Sequence, residues 1–147
     1  MASKKKTPPG KSKTDAEATL VKTGVYIFPD SSRYEGAFAD VGSAIVRQGE
    51  GKHIAPNYIY TGNWEMDKMH GKGRLEFLDT GAVYEGLWRE NRFMGQGSYK
   101  WSDGSILTAE WEGNRVNGPG KFQDSAGQSW IGLFNKGVGS TLSAEIE

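Results

Sequence analysis

The chain has no cysteine, only two histidines and five prolines among its 147 residues. Without cysteine there is no disulfide framework and no thiolate metal site, which favours an intracellular, cytoplasmic setting. His53 and His70 are too few and too far apart for a zinc site, which needs more ligands at closer spacing, so both read as ordinary structural positions. No stretch reaches the apolar length of a membrane span or a secretory signal, and Ala2 stands where N-myristoylation needs glycine. Gly10-Lys11-Ser12 ends like a phosphate loop, but Lys5 sits where that motif needs its first glycine. No cofactor, metal or catalytic constellation is expected, and the reading is of a non-enzyme.

What is abundant is glycine, with 21 residues, and aromatic side chains, at 12%. They recur together. An aromatic, a glycine two residues on and a second aromatic two after that stand at Tyr34-Gly36-Phe38, Tyr60-Gly62-Trp64, Tyr84-Gly86-Trp88 and Trp130-Gly132-Phe134, with Leu107-Ala109-Trp111 as a variant. The central positions 36, 62, 86, 109 and 132 step by 26, 24, 23 and 23 residues. Gly-x-Gly pairs keep the same beat at Gly49/Gly51, Gly71/Gly73, Gly95/Gly97 and Gly118/Gly120. A period this regular marks an array of like units, and explains the pairs as turns rather than as a dinucleotide fingerprint.

Each unit reads as a β-hairpin. Short alternating runs such as Leu75-Glu76-Phe77 and Tyr99-Lys100-Trp101 precede turns rich in Asp, Gly and Ser, and an aromatic run follows each turn. Residues i, i+2 and i+4 of a strand share a face, so Tyr84, Gly86 and Trp88 point one way and Glu85 and Leu87 the other. One face is aromatic. The other is polar, and Glu35, Glu85 and Glu110 recur on it as solvated or cross-strand partners. A strand glycine on the aromatic face leaves room for a neighbouring ring to lie flat on bare backbone.

The expected fold is all-β: an elongated single-layer antiparallel sheet of consecutive hairpins behind a disordered N-terminal tail. Five hairpins give ten strands, roughly 45 to 50 Å at a spacing of about 4.8 Å. The expected layout is a Lys-rich tail over 1–22, five repeats over 23–139 and an end segment over 140–147. Pro29, Asp30 and Arg33 at the start, and Glu145-Ile146-Glu147 at the close, are the candidates for guarding the open edges. The span from Gly36 to Gly51 is four residues longer than its counterparts, which places an inserted loop, and a candidate partner contact, within 39–46. Leu107 and Ala109, and His53 and Ala55 in the second unit, interrupt an otherwise uniform aromatic face.

The pattern Tyr-Glu-Gly-x-Trp, a short connection, Gly-x-Gly, an aromatic strand and an Asp-Gly turn resembles the MORN repeat, and Gly81-Ala82-Val83-Tyr84-Glu85-Gly86-Leu87-Trp88 is a close copy. The resemblance runs from about Gly24 to Phe134. It implies a scaffold or adaptor module without enzymatic activity, whose aromatic groove receives a helical or extended segment of a larger protein. Several members of the family lie in ciliary and flagellar axonemes, so axonemal complex subunits are the implied partners and the axonemal cytoskeleton the implied location, with a role in spermatogenesis.

The expected groove residues are Phe38, Tyr60, Trp64, Tyr84, Trp88, Tyr99, Trp101, Trp111, Trp130 and Phe134, because aromatic rings dominate interaction surfaces. The alternative role of these rings is to stack on one another as a substitute for a core. In the tail, Lys4, Lys5, Lys6, Lys11 and Lys13 offer a contact for an acidic surface; nucleic acid is not the expected partner. A membrane or phosphoinositide surface held by that tail, and an edge-to-edge homodimer, are the other associations the sequence admits.

Overall fold

The computed structural model describes residues 21–135 and 138–144, with side chains as far as Leu133. The basic segment 1–20, with its five lysines, lies outside the described residues, as do Glu145–Glu147 and the side chain of Phe134. Among the described residues there is no helix. Eleven strands follow one another: β1 (Val21–Ile27), β2 (Arg33–Val41), β3 (Ala44–Ile54), β4 (Tyr58–Glu65), β5 (Lys68–Phe77), β6 (Val83–Arg89), β7 (Arg92–Lys100), β8 (Ile106–Glu112), β9 (Arg115–Gln123), β10 (Ser129–Asn135) and β11 (Val138–Ala144). Each pairs antiparallel with the next in a single sheet whose spatial order is the chain order. The five expected hairpins are β1–β2 to β9–β10, and β11 adds an eleventh strand that straddles the expected boundary at 139/140.

Two kinds of turn alternate. The odd-to-even connections β1–β2, β5–β6 and β7–β8 are Asp- or Thr-braced: Asp30 Oδ1 accepts from the backbone N–H of Ser32 at 2.9 Å, Asp103 Oδ1 does the same for Ser105 at 2.9 Å, and Thr80 Oγ1 accepts from Ala82 at 3.2 Å. The even-to-odd connections after β4, β6 and β8 are two-residue turns with both residues at positive φ, at Met66-Asp67 (48° and 70°), Glu90-Asn91 (47° and 69°) and Gly113-Asn114 (60° and 74°), while β2–β3 turns at Gly42-Ser43 with Gly42 alone at positive φ (64°). Two positive φ values in succession make the turn whose twist matches a hairpin's own. Met66 and Glu90 are unusual residues for such a turn; just beyond the first of these turns, His70 lies in β5 and pairs with Glu65 at 3.1 Å.

Three further expectations are corrected. The Gly-x-Gly pairs are not turns but lie inside β3, β5, β7 and β9. The first glycine of each pair, Gly49, Gly71, Gly95 or Gly118, has φ between 75° and 103°. It sits where the register slips past the preceding strand, as between Gly62 and Trp64. This is a β-bulge, and positive φ is why glycine occupies it. The four extra residues near Gly42 form no inserted loop; they lengthen the β2–β3 hairpin, whose strands run to 9 and 11 residues and pair as far as Val41 with Ala44. Finally, Pro29 and Asp30 lie between β1 and β2, and Arg33 lies in β2, so the N-terminal edge belongs to β1 rather than to those residues.

Candidate partner-binding surface

The second glycine of each pair organises the aromatic face. Tyr34, Tyr60 and Tyr84 lie across Gly51, Gly73 and Gly97, so closely that a β-carbon there would stand 2.0, 2.1 and 2.1 Å from the tyrosine oxygen. Each hydroxyl donates to the carbonyl three residues on, Ala37 at 2.6 Å, Asn63 at 2.8 Å and Leu87 at 3.0 Å. The carbonyl of the covered glycine then accepts from an indole N–H on the next strand: Trp64 to Gly51 at 3.3 Å, Trp88 to Gly73 at 3.1 Å and Trp111 to Gly97 at 3.0 Å. Tyrosine and tryptophan meet edge to face, Tyr34–Trp64 at 5.6 Å, Tyr60–Trp88 at 5.2 Å and Tyr84–Trp111 at 5.5 Å. Such pairs contribute about 0.5–1.5 kcal/mol each beyond the area they bury. Burial pushes the Tyr34 hydroxyl up to about 12 and raises Tyr60 and Tyr84 likewise, so all three stay neutral donors.

A second link joins consecutive repeats at the turn tips. Asp67, Asn91 and Asn114 each bind one residue of the preceding repeat twice. Their side-chain Oδ1 atoms accept from the backbone N–H groups of Arg47 (3.1 Å), Met69 (2.9 Å) and Phe93 (2.9 Å). Their own N–H groups donate to the carbonyls of those same residues at 2.9, 3.0 and 3.3 Å. These clamps went unread in the sequence, although an Asp or Asn recurring with the repeat was the available signal.

The first clamp carries charge. The Arg47 guanidinium donates to Asp67 Oδ1 at 2.6 Å, lies 4.1 Å from the Trp64 ring centre and meets His53 Nδ1 at 3.1 Å. His53 is buried, stacked on Tyr58 at 5.9 Å and near Phe28 at 5.4 Å. Desolvation, then the Arg47 charge, holds its pKa below the ordinary imidazole value, so it is the neutral acceptor of the Arg47 bond. Burial acts to raise the Asp67 carboxyl, but the Arg47 hydrogen bonds and charge outweigh it and the net shift is downward.

Of the ten expected groove residues, Tyr60 and Tyr84 are 0% exposed and Trp64, Trp88 and Trp111 are 4, 4 and 8% exposed. These five hold the sheet together and offer a partner almost no surface. Phe38, Tyr99 and Trp130 are half-buried, and Trp101 is exposed. The accessible surface is a stripe beside the buried ladder, where the sequence reading named only Tyr99, Trp101 and Trp130. It runs Tyr26–Phe28 (5.7 Å), Phe28–His53–Tyr58, then Phe77–Tyr99 (6.2 Å), Tyr99–Trp101 (4.8 Å) and Trp101–Phe122 (6.0 Å). The register bridges the gaps by pairing Tyr58 with Phe77 and Phe122 with Trp130. From β1 to β10 it is nine strand spacings, about 43 Å.

The opposite face is polar. Arg74 pairs with Glu76, Gln96 with Glu110, and Ser98 with Thr108. A furrow of about 480 Å³ is lined there by Glu50, Lys72, Arg74, Glu85, Leu87 and Gln96, among others. Among the described residues no three His, Asp or Glu side chains gather to hold a metal ion, and no helix is long and apolar enough to cross a membrane.

The model of the MORN repeat matches residues 60–79, 84–106 and 108–129. The three matched segments follow one another through the middle of the sheet. They take in the strands that carry Tyr60, Trp88, Tyr84 and Trp111, and such repeats are in general protein- or membrane-binding. Alsin of Mus musculus and alsin of Homo sapiens are each 28% identical to this chain over 127 residues, covering 78% of it. Alsin of Rattus norvegicus is 30% identical over 84 residues, 55% of the chain. The chain spans only 7% or 5% of the length of these relatives.

Proposed function

We propose that this MORN-repeat chain is a non-enzymatic scaffold or adaptor, and that its half-exposed aromatic stripe holds a helical or extended segment of a larger axonemal protein. The observation that carries the reading is the division of labour on one face. The Tyr–Gly–Trp ladder satisfies itself, while Phe28, Tyr58, Phe77, Tyr99 and Phe122 are packed on one side only and Trp101 is 37% exposed. A contiguous apolar stripe of this kind marks an interaction surface. Its length of about 43 Å matches a helix of roughly thirty residues lying across the strands. The axonemal assignment rests on the family resemblance. It draws also on the likeness of Gly71–Gly86 and Asn114-Arg115-Val116 to MORN repeat-containing protein 2 within that family.

The test is affinity capture from ciliated cells with the wild type beside Phe77→Ala/Trp101→Ala. Those rings lie outside the ladder, so the variant keeps its far-ultraviolet circular dichroism and loses the axonemal proteins that the wild type retains. Unchanged capture by the folded variant refutes the stripe as the binding surface. The Lys-rich tail supports a second association, with an anionic or phosphoinositide membrane. It predicts liposome binding that weakens with salt and disappears on deleting residues 1–13.

A further inference from the structure

The N-terminal edge of the sheet has a chemistry of its own. All seven residues of β1 are exposed, with Val25 at 57% and Ile27 at 58%. Phe28 N–H donates to the Ser32 carbonyl at 2.9 Å, so the even residues of this antiparallel ladder turn their backbone groups toward β2. By alternation, Val21, Thr23, Val25 and Ile27 present their N–H and C=O groups outward. An edge of this kind is normally blunted by charge, proline or a bulge. β1 has no proline, and the ladder to β2 runs without a register shift. Its one charge, Lys22, is drawn back to Asp40 at 3.1 Å. Among the described residues nothing pairs with this edge.

We propose that β1 pairs antiparallel with β1 of a second copy about a two-fold axis at Gly24, joining two sheets into one. The pairing sets Val21 against Ile27 and Thr23 against Val25 as hydrogen-bonded pairs. It leaves Gly24 facing Gly24 and Lys22 facing Tyr26 as the non-hydrogen-bonded ones. The choice of register comes from the array itself. Each repeat joins the next through a glycine pair, Gly36 with Gly51, Gly62 with Gly73 and Gly86 with Gly97, and Gly24 already pairs with Gly36 on its other side. Gly24 against Gly24 continues that glycine column across the axis. On one face it also places β-branched side chains directly opposite each other, the favourable cross-strand arrangement. The two-fold stands perpendicular to the sheet, so both aromatic faces lie on the same side and the interface is self-complementary. The pairing does not depend on what the aromatic stripe binds.

Light scattering of the full chain over a concentration series measures the association. Val25→Pro removes an outward N–H without touching a β1–β2 hydrogen bond. It is expected to weaken dimerisation at least tenfold with unchanged circular dichroism. Lys22→Cys/Tyr26→Cys tests the register in a protein that has no cysteine of its own. Paired across the axis, the two cysteines lie within disulfide reach, whereas within one strand they are about 13 Å apart. The double variant is therefore expected to oxidise to a covalent dimer that neither single variant forms in comparable yield. A full chain that stays monomeric throughout the series, a dimer that Val25→Pro leaves intact, or no excess of cross-linking in the double variant overturns the proposal.

Discussion

The first repeat junction and the two that follow are built on the same positions with opposite chemistry. Where the second has Met69, Leu75 and Asn91, and the third Phe93, Tyr99 and Asn114, the first has Arg47, His53 and Asp67. Backbone geometry is kept, since all three clamps make the same two hydrogen bonds. Only the side-chain packing differs: Met69 and Phe93 pack among apolar neighbours, whereas Arg47 rests on Trp64 and is held by Asp67 and His53. The repeat thus specifies a backbone and leaves the means of joining neighbours free. A junction built on ionisable groups must respond to pH and to loss of a partner in ways an apolar one does not.

The largest contrast is in the tryptophan position. Trp88 is buried, donates to Gly73 and touches Tyr60, Tyr84 and Phe93 edge to face, so Trp88→Ala is expected to destabilise the protein by about 3–5 kcal/mol. Phe38 takes the equivalent place in the first unit but is only half-buried and has no indole N–H, so Phe38→Ala should cost about 1–2 kcal/mol. Urea unfolding of the two variants measures the difference. Equal losses would mean that the ladder carries no special share of stability.

Removing the turn clamps sharpens the comparison at smaller scale. Asn91→Ala deletes one side-chain acceptor and leaves the Met69 N–H unmatched, at about 1 kcal/mol. Asp67→Ala deletes the same acceptor and also removes the carboxylate from the Arg47 guanidinium, leaving it the residue-67 carbonyl and His53 Nδ1 as acceptors. Hydrogen bonds to charged groups are the stronger kind, but the Asp67 side chain is 47% exposed and water screens the pair, so about 2 kcal/mol is expected. Both substitutions put alanine at positive φ, and that shared strain cancels between them.

The hairpin array, its repeat length and the aromatic face were legible in the sequence, because each follows from strand alternation within one unit; the room for a ring was placed above the central glycine of each aromatic run, such as Gly86, whereas Tyr84 lies across Gly97 of the Gly-x-Gly pair. What stayed hidden depends on neighbours. Whether a ring is covered is settled by the strands beside it: Trp88 and Phe77 share a face, yet one lies under Tyr60 and Tyr84 and the other at the ladder's rim. The bulge at the first glycine appears only once β4 and β5 are set in register. Asp40-Val41-Gly42-Ser43 reads as loop by composition, but Val41 and Ala44 pair because the turn between them lets both strands extend. His53 stood out only as a break in the aromatic face and Arg47 not at all; their meaning comes from Asp67, 20 residues from Arg47 along the chain.

The finest test of the two junction types is their response to acid. His53 has a folded-state pKa below the ordinary imidazole value of 6.5, so the unfolded chain takes up a proton more readily there than the folded one. The stability it contributes is therefore complete above that pH and is lost as the pH falls through it toward the folded value. Protonation removes the Nδ1 acceptor and sets an imidazolium against Arg47, with Asp30 and Asp67 as the opposing charges acting on it among the described residues. Asp67 acts in the same direction at lower pH, its contribution fading as the pH drops below the ordinary carboxyl value of 3.8. The second junction has Leu75 and Asn91 at these places, neither of which titrates. His53→Leu converts the first junction to that chemistry, so the fall in melting temperature between pH 7 and pH 5 should be shallower in the variant than in the wild type. A parallel fall in both would place the acid sensitivity outside the Arg47–His53–Asp67 cluster.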